Sequence, residues 1–341
     1  MKKPTDLQTH LRYIDLFCGI GGFRIAANNA ADALEISSEC VFSSDIDKDA
    51  QDAYEANFGE RPTGDITKVH ASEIPDHDVL FGGFPCQAFS IIGEMKGFAD
   101  ARGTLFFDIA RILDLKRPRA IVLENVKQLR GHDNGRTLKT ILNILDEMGY
   151  WVDFRVLNAL DFGLPQKRER ILIVGFLDDA HCRFTWPSGA HTPRISLESL
   201  LEDDNFVESS YFASPKIRNS RKSAVKGKSL PFGRSIWHEN KSGNISALPY
   251  SCALRAGASY NYLLVDGIRR LTMREMLRLQ GFPDSYKIVC GYSATRKQAG
   301  NSVPVPMIQA VVTKVFKALN IDNDLKQNPS TSRVQPALFK L

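Results

Sequence analysis

An α/β fold is what this sequence predicts: a parallel sheet covered by helices on both faces, followed by a smaller irregular unit. Three observations carry that expectation. Short apolar runs alternate with helix-spaced stretches through the first half of the chain. Between about residues 178 and 265 the alternation gives way to Ser, Asn, Gly, Pro and Lys/Arg. Helical spacing then returns at 271–279 and 303–319.

Taken in order, residues 13–17 read as a strand, and the glycines that follow turn it into a helix over 19–27. Residues 40–44 form a second strand and 48–58 a helix. Residues 78–81 are a third strand, ending in Gly82-Gly83. Leu105, Phe106, Ile109, Ile112 and Leu113 give 102–115 helical spacing. Residues 120–123 are a strand, 138–148 a helix and 171–176 a strand. In sheets of this kind ligands bind beyond the carboxyl ends of the strands.

The chain has 341 residues, 43% hydrophobic and 24% charged, enough to bury a sizeable core in one large domain or two. The longest strong apolar run, 171–177, is strand-length, so no membrane span is expected. The N-terminal residues lack the apolar segment of a signal peptide. Six scattered cysteines without a Cys-x-x-Cys pair argue against disulfides and zinc. A cytoplasmic protein without metal is the expectation. The net charge of +5 permits nucleic-acid binding without demanding it. Its distribution says more: Lys216, Arg218, Arg221, Lys222, Lys226 and Lys228 occur with no acid among them. That run reads either as a solvated flexible loop or as a phosphate-contacting segment.

Two turns carry chemistry. In the first, Asp15-Leu-Phe-Cys-Gly-Ile-Gly-Gly22, the glycines let the backbone approach a ligand, but the pattern is not the Gly-x-Gly-x-x-Gly of dinucleotide binding. Asp15 ahead of the glycines would suit a cationic amino-acid group better than a pyrophosphate. Asp45, after the second strand, is placed to accept from ribose hydroxyls, and Asp65 from an exocyclic amine. Each acid alone reads more readily as a helix cap or surface charge. Together they fit S-adenosylmethionine. In the second turn, Gly82-Gly-Phe-Pro85-Cys86-Gln87-Ala-Phe-Ser90, a proline presents one cysteine at the sheet edge.

With Glu124-Asn125-Val126, Gln166-Lys-Arg-Glu-Arg170, residues 270–283 and Gly300-Asn301-Ser302-Val303 in the same order, the chain resembles the C5-cytosine DNA methyltransferases, in particular the compact prokaryotic type of restriction–modification systems. The resemblance implies a Rossmann-like, S-adenosylmethionine-dependent sheet plus a target-recognition domain. It implies a catalytic domain at 1–187 completed by 300–325, recognition at 188–267, a connecting region at 268–299 and a tail at 326–341. Cys86 would be the nucleophile toward cytosine C6 and Glu124 the proton donor at N3, with Asn125, Gln87, Arg168 and Arg170 completing the catalytic set. Phe17, Gly19, Gly21, Gly22, Asp45, Ile46, Asp65, Ile66, Pro85, Leu105, Asn301 and Ser302 would hold the cofactor, released as S-adenosylhomocysteine.

The ring face of a stacked cytosine is out of reach, so the base must be flipped. Gly93, Gly97 and Gly103 read as hinges of a segment expected to close over the DNA, with Ser90, Ile92 and Lys96 as its expected contacts. Lys216, Arg218, Arg221, Lys222, Arg255 and Tyr260 are the other expected DNA contacts. Arg255 is the candidate guanine reader, with a phosphate contact or a salt bridge as its alternative. The chain carries Ala253-Leu254 where family members usually have Thr-Leu. Double-stranded DNA is the expected partner, acted on by a monomer, with a cognate restriction endonuclease acting separately. The competing readings are a tRNA cytosine-5 methyltransferase and a non-catalytic DNA-binding descendant; the latter should have lost Cys86, Glu124 or the arginines, and all are present.

Overall fold

The computed structural model describes residues 10–85, 105–189, 195–226 and 233–327. In chain order the elements of its first part are β1 (His10–Leu16), α1 (Gly22–Ala33), β2 (Ser37–Ser44), α2 (Lys48–Phe58), β3 (Val79–Gly82), α3 (Leu105–Lys116), β4 (Ala120–Val126), α4 (Arg136–Glu147), β5 (Trp151–Asn158), β6 (Gln166–Lys167) and β7 (Glu169–Phe176). After them come α5 (Leu197–Leu200), α6 (Pro215–Val225), β8 (Ile236–Glu239), β9 (Ile245–Leu248), β10 (Ser251–Cys252), β11 (Leu263–Val265), α7 (Met273–Leu279), α8 (Tyr292–Asn301) and α9 (Val305–Gln327).

The central sheet has the order β2-β1-β3-β4-β7-β5. Its first four strands are parallel, as the alternating pattern predicts. β7 runs antiparallel to both β4 and β5, which departs from an all-parallel expectation. The cause is connection length: the short link between β5 and β7 holds only a 3-10 turn and β6, too little for a helical crossover. β5 itself was not foreseen, although Val152, Phe154 and Val156 alternate with Asp153 and Arg155.

Both faces of the sheet are apolar, with period two. On β4, Ala120 and Val122 join the core beneath α1 and α9, while Ile121 and Leu123 join the core beneath α3 and α4. β7 repeats this, with Leu172 and Val174 on the first side and Ile171 and Ile173 on the second. α9 closes the first face, its Phe316 ring 6.4 Å from that of Phe81, and it runs to Gln327, past the end expected at 319. Among the described residues the stretch Tyr292–Asn320 has the length and hydropathy of a membrane span. It is two helices broken at Pro304, mostly buried against this core.

The basic run at 216–228 is not a loop through its described part. Ser214 accepts from Ile217 N, and Pro215 sits in the first turn, so the chain enters helix α6. Beyond it, β8, β9 and β11 form an antiparallel sheet in the order β11-β8-β9, a regularity hidden by strands of only three or four residues.

α7 begins with a capping box between Thr272 and Glu275. Glu275 also holds Arg269, whose guanidinium donates to both its carboxylate oxygens at 2.8 and 2.9 Å, and both side chains are fully buried. Removing one partner strands the other charge, so Arg269→Ala should lower unfolding free energy by about 3–5 kcal/mol. Urea denaturation at constant m-value checks this.

Candidate active site

The carboxyl ends of the parallel strands open on a cavity of about 570 Å³, within the range of small-molecule sites. Its floor is the turn after β1. Phe17 there adopts φ +59°, a conformation that L-residues adopt rarely, and its side chain lines the cavity. Gly19 follows at φ +54° with open space where a Cβ would stand. Its N–H donates to Asp45 at 2.7 Å, and Asp45 also accepts from Asp47 N at 2.8 Å. Burial pushes the Asp45 carboxyl up while these two amides pull it down.

The residues expected to hold a cofactor gather here with two exceptions. Phe17, Gly19, Gly22, Asp45, Ile46, Asp65, Ile66, Pro85, Leu105, Asn301 and Ser302 all line the cavity. Gly21 does not. At φ +80°, a Cβ on it would collide with the Phe58 ring, so its role is to let α1 start close against α2. Asp15 is the second exception. It lies wholly buried on β1, both carboxylate oxygens without a hydrogen-bond partner among the described residues. Burial pushes its pKa well above the ordinary value, so it is not the exposed anion that its place in the turn suggested.

Ile46 is 72% exposed at the cavity, apolar surface left for a ligand to cover. Asp65 accepts from Thr67 N and Oγ1. Lys297 on α8 reaches Asp47, the N-cap of α2, at 2.6 Å, and both residues line the cavity. Neither was expected here, because only folding brings α8 to the start of α2.

At the other end of the cavity stands Glu124, 8% exposed at the end of β4. Arg170 on β7 meets it at 2.7 Å, since Val126 pairs with Arg170 across the sheet and the two side chains share a face. Desolvation raises the Glu124 pKa even against the attraction of Arg170 and Arg168. Asn125 donates to Phe84 O at 2.8 Å and accepts from Val126 N. It thereby ties the end of β4 to the turn of Gly83, Phe84 and Pro85.

Cys86, Gln87, Ser90, Ile92 and Lys96, and the hinges Gly93, Gly97 and Gly103, lie outside the described residues. Pro85, the last described residue before them, is at the cavity wall.

Arg168 and Arg170 do not end on a common target. Arg168 is 1% exposed and donates to Leu254 O at 2.9 Å, Gly300 O at 2.9 Å and Ser302 O at 2.5 Å. Burial and the charge of Arg170 lower its pKa to about 9, which leaves it cationic at neutral pH. A guanidinium spent on three buried carbonyls clamps their three stretches of main chain together. Arg221 departs from expectation in the same way: buried, it pairs with Glu239 at 2.6 Å and donates to Asn261 O. Lys216 and Lys222 are exposed on α6, Arg218 is half-buried, and Arg255 is exposed. Tyr260 is 46% exposed, its ring stacked on Tyr292 at 5.9 Å. Gln166, in the same motif as the two arginines but given no role from sequence, is fully buried beside them.

The chain is similar to known proteins along nearly its whole length. It is 55% identical over 308 residues to the Type II methyltransferase M.HaeII of Haemophilus aegyptius, covering 90% of this chain and 93% of that one. It is 57% identical over 297 residues to M.NgoBI of Neisseria gonorrhoeae, covering 87% and 90%. It is 41% identical to M.HhaI of Haemophilus parahaemolyticus, covering 92% and 96%. Among solved structures, the Entamoeba histolytica methyltransferase EhMeth superposes with a TM-score of 0.69 at 18% identity, covering 92% of this chain and 99% of that one; the S. pombe Dnmt2 methyltransferase gives 0.63 at 22%, covering 91% and 99%. At these identities the structures speak for the fold alone. The model of the C-5 cytosine-specific DNA methylases matches residues 11–317, and the chain belongs to that family.

Proposed function

We propose that this DNA cytosine-5 methyltransferase works through a covalent bond between Cys86 and C6 of a flipped cytosine in a short duplex sequence, as the modification enzyme of a restriction–modification system. The observation that carries this reading is the Glu124–Arg170 pair at one end of a cavity lined by Pro85, the residue that precedes the cysteine in sequence. The family's description as DNA methylases, with Type II methyltransferases at 55–57% identity, supports a DNA-modifying role over the tRNA alternative.

The cavity fits S-adenosylmethionine. Phe17, Ile46, Ile66 and Leu105 supply apolar walls for an adenine, and Asp45 and Asp65 supply acceptors for hydroxyl and amine groups. When bound, the cofactor supplies an electrophilic sulfonium methyl and leaves as S-adenosylhomocysteine. The protein's own groups make cytosine C5 able to take that methyl. The Cys86 thiolate bonds to C6 while Glu124 gives a proton, or a strong hydrogen bond, to N3, so electron density collects at C5. A raised Glu124 pKa keeps that proton available nearer neutral pH. Asn125 holds the Phe84 carbonyl and so the turn leading into the cysteine. Loss of the C5 proton to water and return of the N3 proton to Glu124 then restore the C5–C6 double bond and expel the thiolate.

Exposed Lys216 and Lys222 suit the DNA backbone, and Arg255 a guanine edge. The base-reading unit is assigned to 188–267 and the catalytic unit to 1–187 with 300–325, joined by 268–299 and followed by a tail. The enzyme acts as a monomer without metal, in the cytoplasm at the nucleoid, beside a separate cognate endonuclease.

The test is methylation of defined duplex DNA and of tRNA with labelled cofactor, located by bisulfite sequencing. Label in duplex DNA at one sequence is the expected outcome, and label in tRNA alone overturns it. Asp45→Ala, which frees Gly19 N and removes an acceptor, should weaken S-adenosylhomocysteine binding by roughly tenfold to a hundredfold in calorimetry.

A further inference from the structure

Buried side chains converge on one short run of main chain, Leu254 to Ala256. Gln166 Oε1 accepts from Leu254 N at 3.1 Å, and Arg168 Nη1 donates to Leu254 O at 2.9 Å. The Tyr262 hydroxyl accepts from Arg255 N at 2.9 Å. Gly300 closes another side: a Cβ there would lie 2.5 Å from Ala256 N and 2.9 Å from Arg255 C, so backbone packs directly on backbone. Gln166 is fixed in turn by donating to Leu279 O at 2.7 Å, and Gln280 by donating to Ala299 O at 2.5 Å. Gln166, Arg168 and Gln280 are at most 1% exposed, and Tyr262 is 6% exposed. Sliding this run would strand several buried polar groups at once, and a buried polar group left without its hydrogen bond is costly.

What the seat holds is the exposed Arg255, its guanidinium 4.9 Å from the centre of the Tyr262 ring. What lies at the other end of the same few residues is Arg170, paired with Glu124. Residues 166–170 therefore grip the segment bearing Arg255 and supply the partner of the proton donor.

We propose that Gln166, Arg168 and Tyr262 are specificity-positioning residues, which hold Arg255 at a set distance from the Glu124–Arg170 pair and so register the reading of a neighbouring base with the flipped cytosine. The inference rests on the reading of Arg255 as a base contact. None of the three touches the DNA base in this scheme; each acts through the Leu254–Ala256 main chain. Tyr262→Phe is the discriminating variant, because it removes one hydroxyl and keeps the ring under Arg255.

The experiment uses the full chain as wild type, Tyr262→Phe, Gln166→Leu and Arg255→Ala. Amide hydrogen exchange over 251–262 reads the seat. Bisulfite sequencing of a randomised duplex pool reads the ratio of methylation at the preferred sequence to that at single-mismatch sequences. In Tyr262→Phe the Arg255 amide should exchange about tenfold faster. Discrimination should fall about tenfold at the same base pair that Arg255→Ala relaxes, in line with the worth of one arginine–guanine pair. Gln166→Leu should relax that base pair too, and S-adenosylhomocysteine affinity in Tyr262→Phe should stay within about twofold of wild type. An Arg255 amide unchanged by Tyr262→Phe, or discrimination unaltered in variants that still methylate, overturns the inference alone. A wild-type enzyme that methylates no duplex overturns the functional reading and the inference with it.

Discussion

Cys86→Ser is expected to lower kcat for DNA methylation on the order of 10⁴-fold or more while leaving S-adenosylhomocysteine affinity near wild type. Cytosine C5 does not attack a sulfonium methyl unless C6 first carries a nucleophile, and a hydroxyl at neutral pH is far poorer than a thiolate in that role. Cofactor affinity should be spared because the cavity's acceptors, Asp45 and Asp65, stand on the loops after β2 and before β3. Single-turnover methylation of a defined duplex, beside calorimetry, separates the two effects. Duplex DNA carrying 5-fluorocytosine adds an independent check, since its C5 has no proton to lose and the thiolate adduct should persist. Wild type should form a denaturant-stable protein–DNA complex and Cys86→Ser none. An undiminished serine variant would sink the covalent mechanism.

Glu124→Gln comes second, with an expected loss of 10²- to 10⁴-fold, roughly the contribution of a positioned general acid. Glutamine fills the same space and can still hydrogen-bond, but it has no proton to give N3. It also leaves Arg170 without the anion it meets at 2.7 Å. The pH dependence follows from the direction of the shift. Desolvation raises the Glu124 pKa above the ordinary glutamate value, so its protonated form survives to higher pH than that of an exposed glutamate. Activity that needs this proton falls as pH rises through the raised pKa, and kcat/KM should lose that limb in Glu124→Gln. The same sign holds for stability. The favourable contribution of the protonated group is complete below the unfolded value and is lost as pH rises through the folded one. A variant with an unchanged pH–rate profile would remove Glu124 from the proton transfer.

Much of the site could be read without coordinates, because the informative residues cluster in short runs at strand ends. Asp45 follows β2 and Glu124 stands near the end of β4, and the α/β pattern sends such ends to one edge, where the loop bearing Asp65 joins them. What misled was local resemblance of role. Asp15 and Gly21 occupy a ligand-binding turn in sequence, yet one faces the core and the other faces the Phe58 ring. The parity of a strand and the approach of a second helix decide such matters, and neither is visible from one turn alone.

The region proposed to read bases was less legible for a different reason. Its strands are three or four residues long, too short for a periodic signal. The charge of its basic helix did not reveal that Arg221 would be buried against Glu239 while Lys216 and Lys222 faced solvent. A composition of lysine and arginine predicts attraction to phosphate but not which cation remains free to act on it.

By itself, then, the order of motifs along the chain determined the reaction: a cysteine after Gly-Phe-Pro, a glutamate closing a buried strand, and acids after a glycine turn admit little other chemistry. Tertiary structure decided the division of labour among residues of the same type. Arg168 and Arg170 stand two apart in one motif. One is drawn by three buried carbonyls into clamping Leu254, Gly300 and Ser302, the other by one buried carboxylate into the pair with Glu124. The physical reason is that a buried charge goes where its hydrogen bonds are satisfied, and those partners come from segments 46 to 134 residues away in sequence.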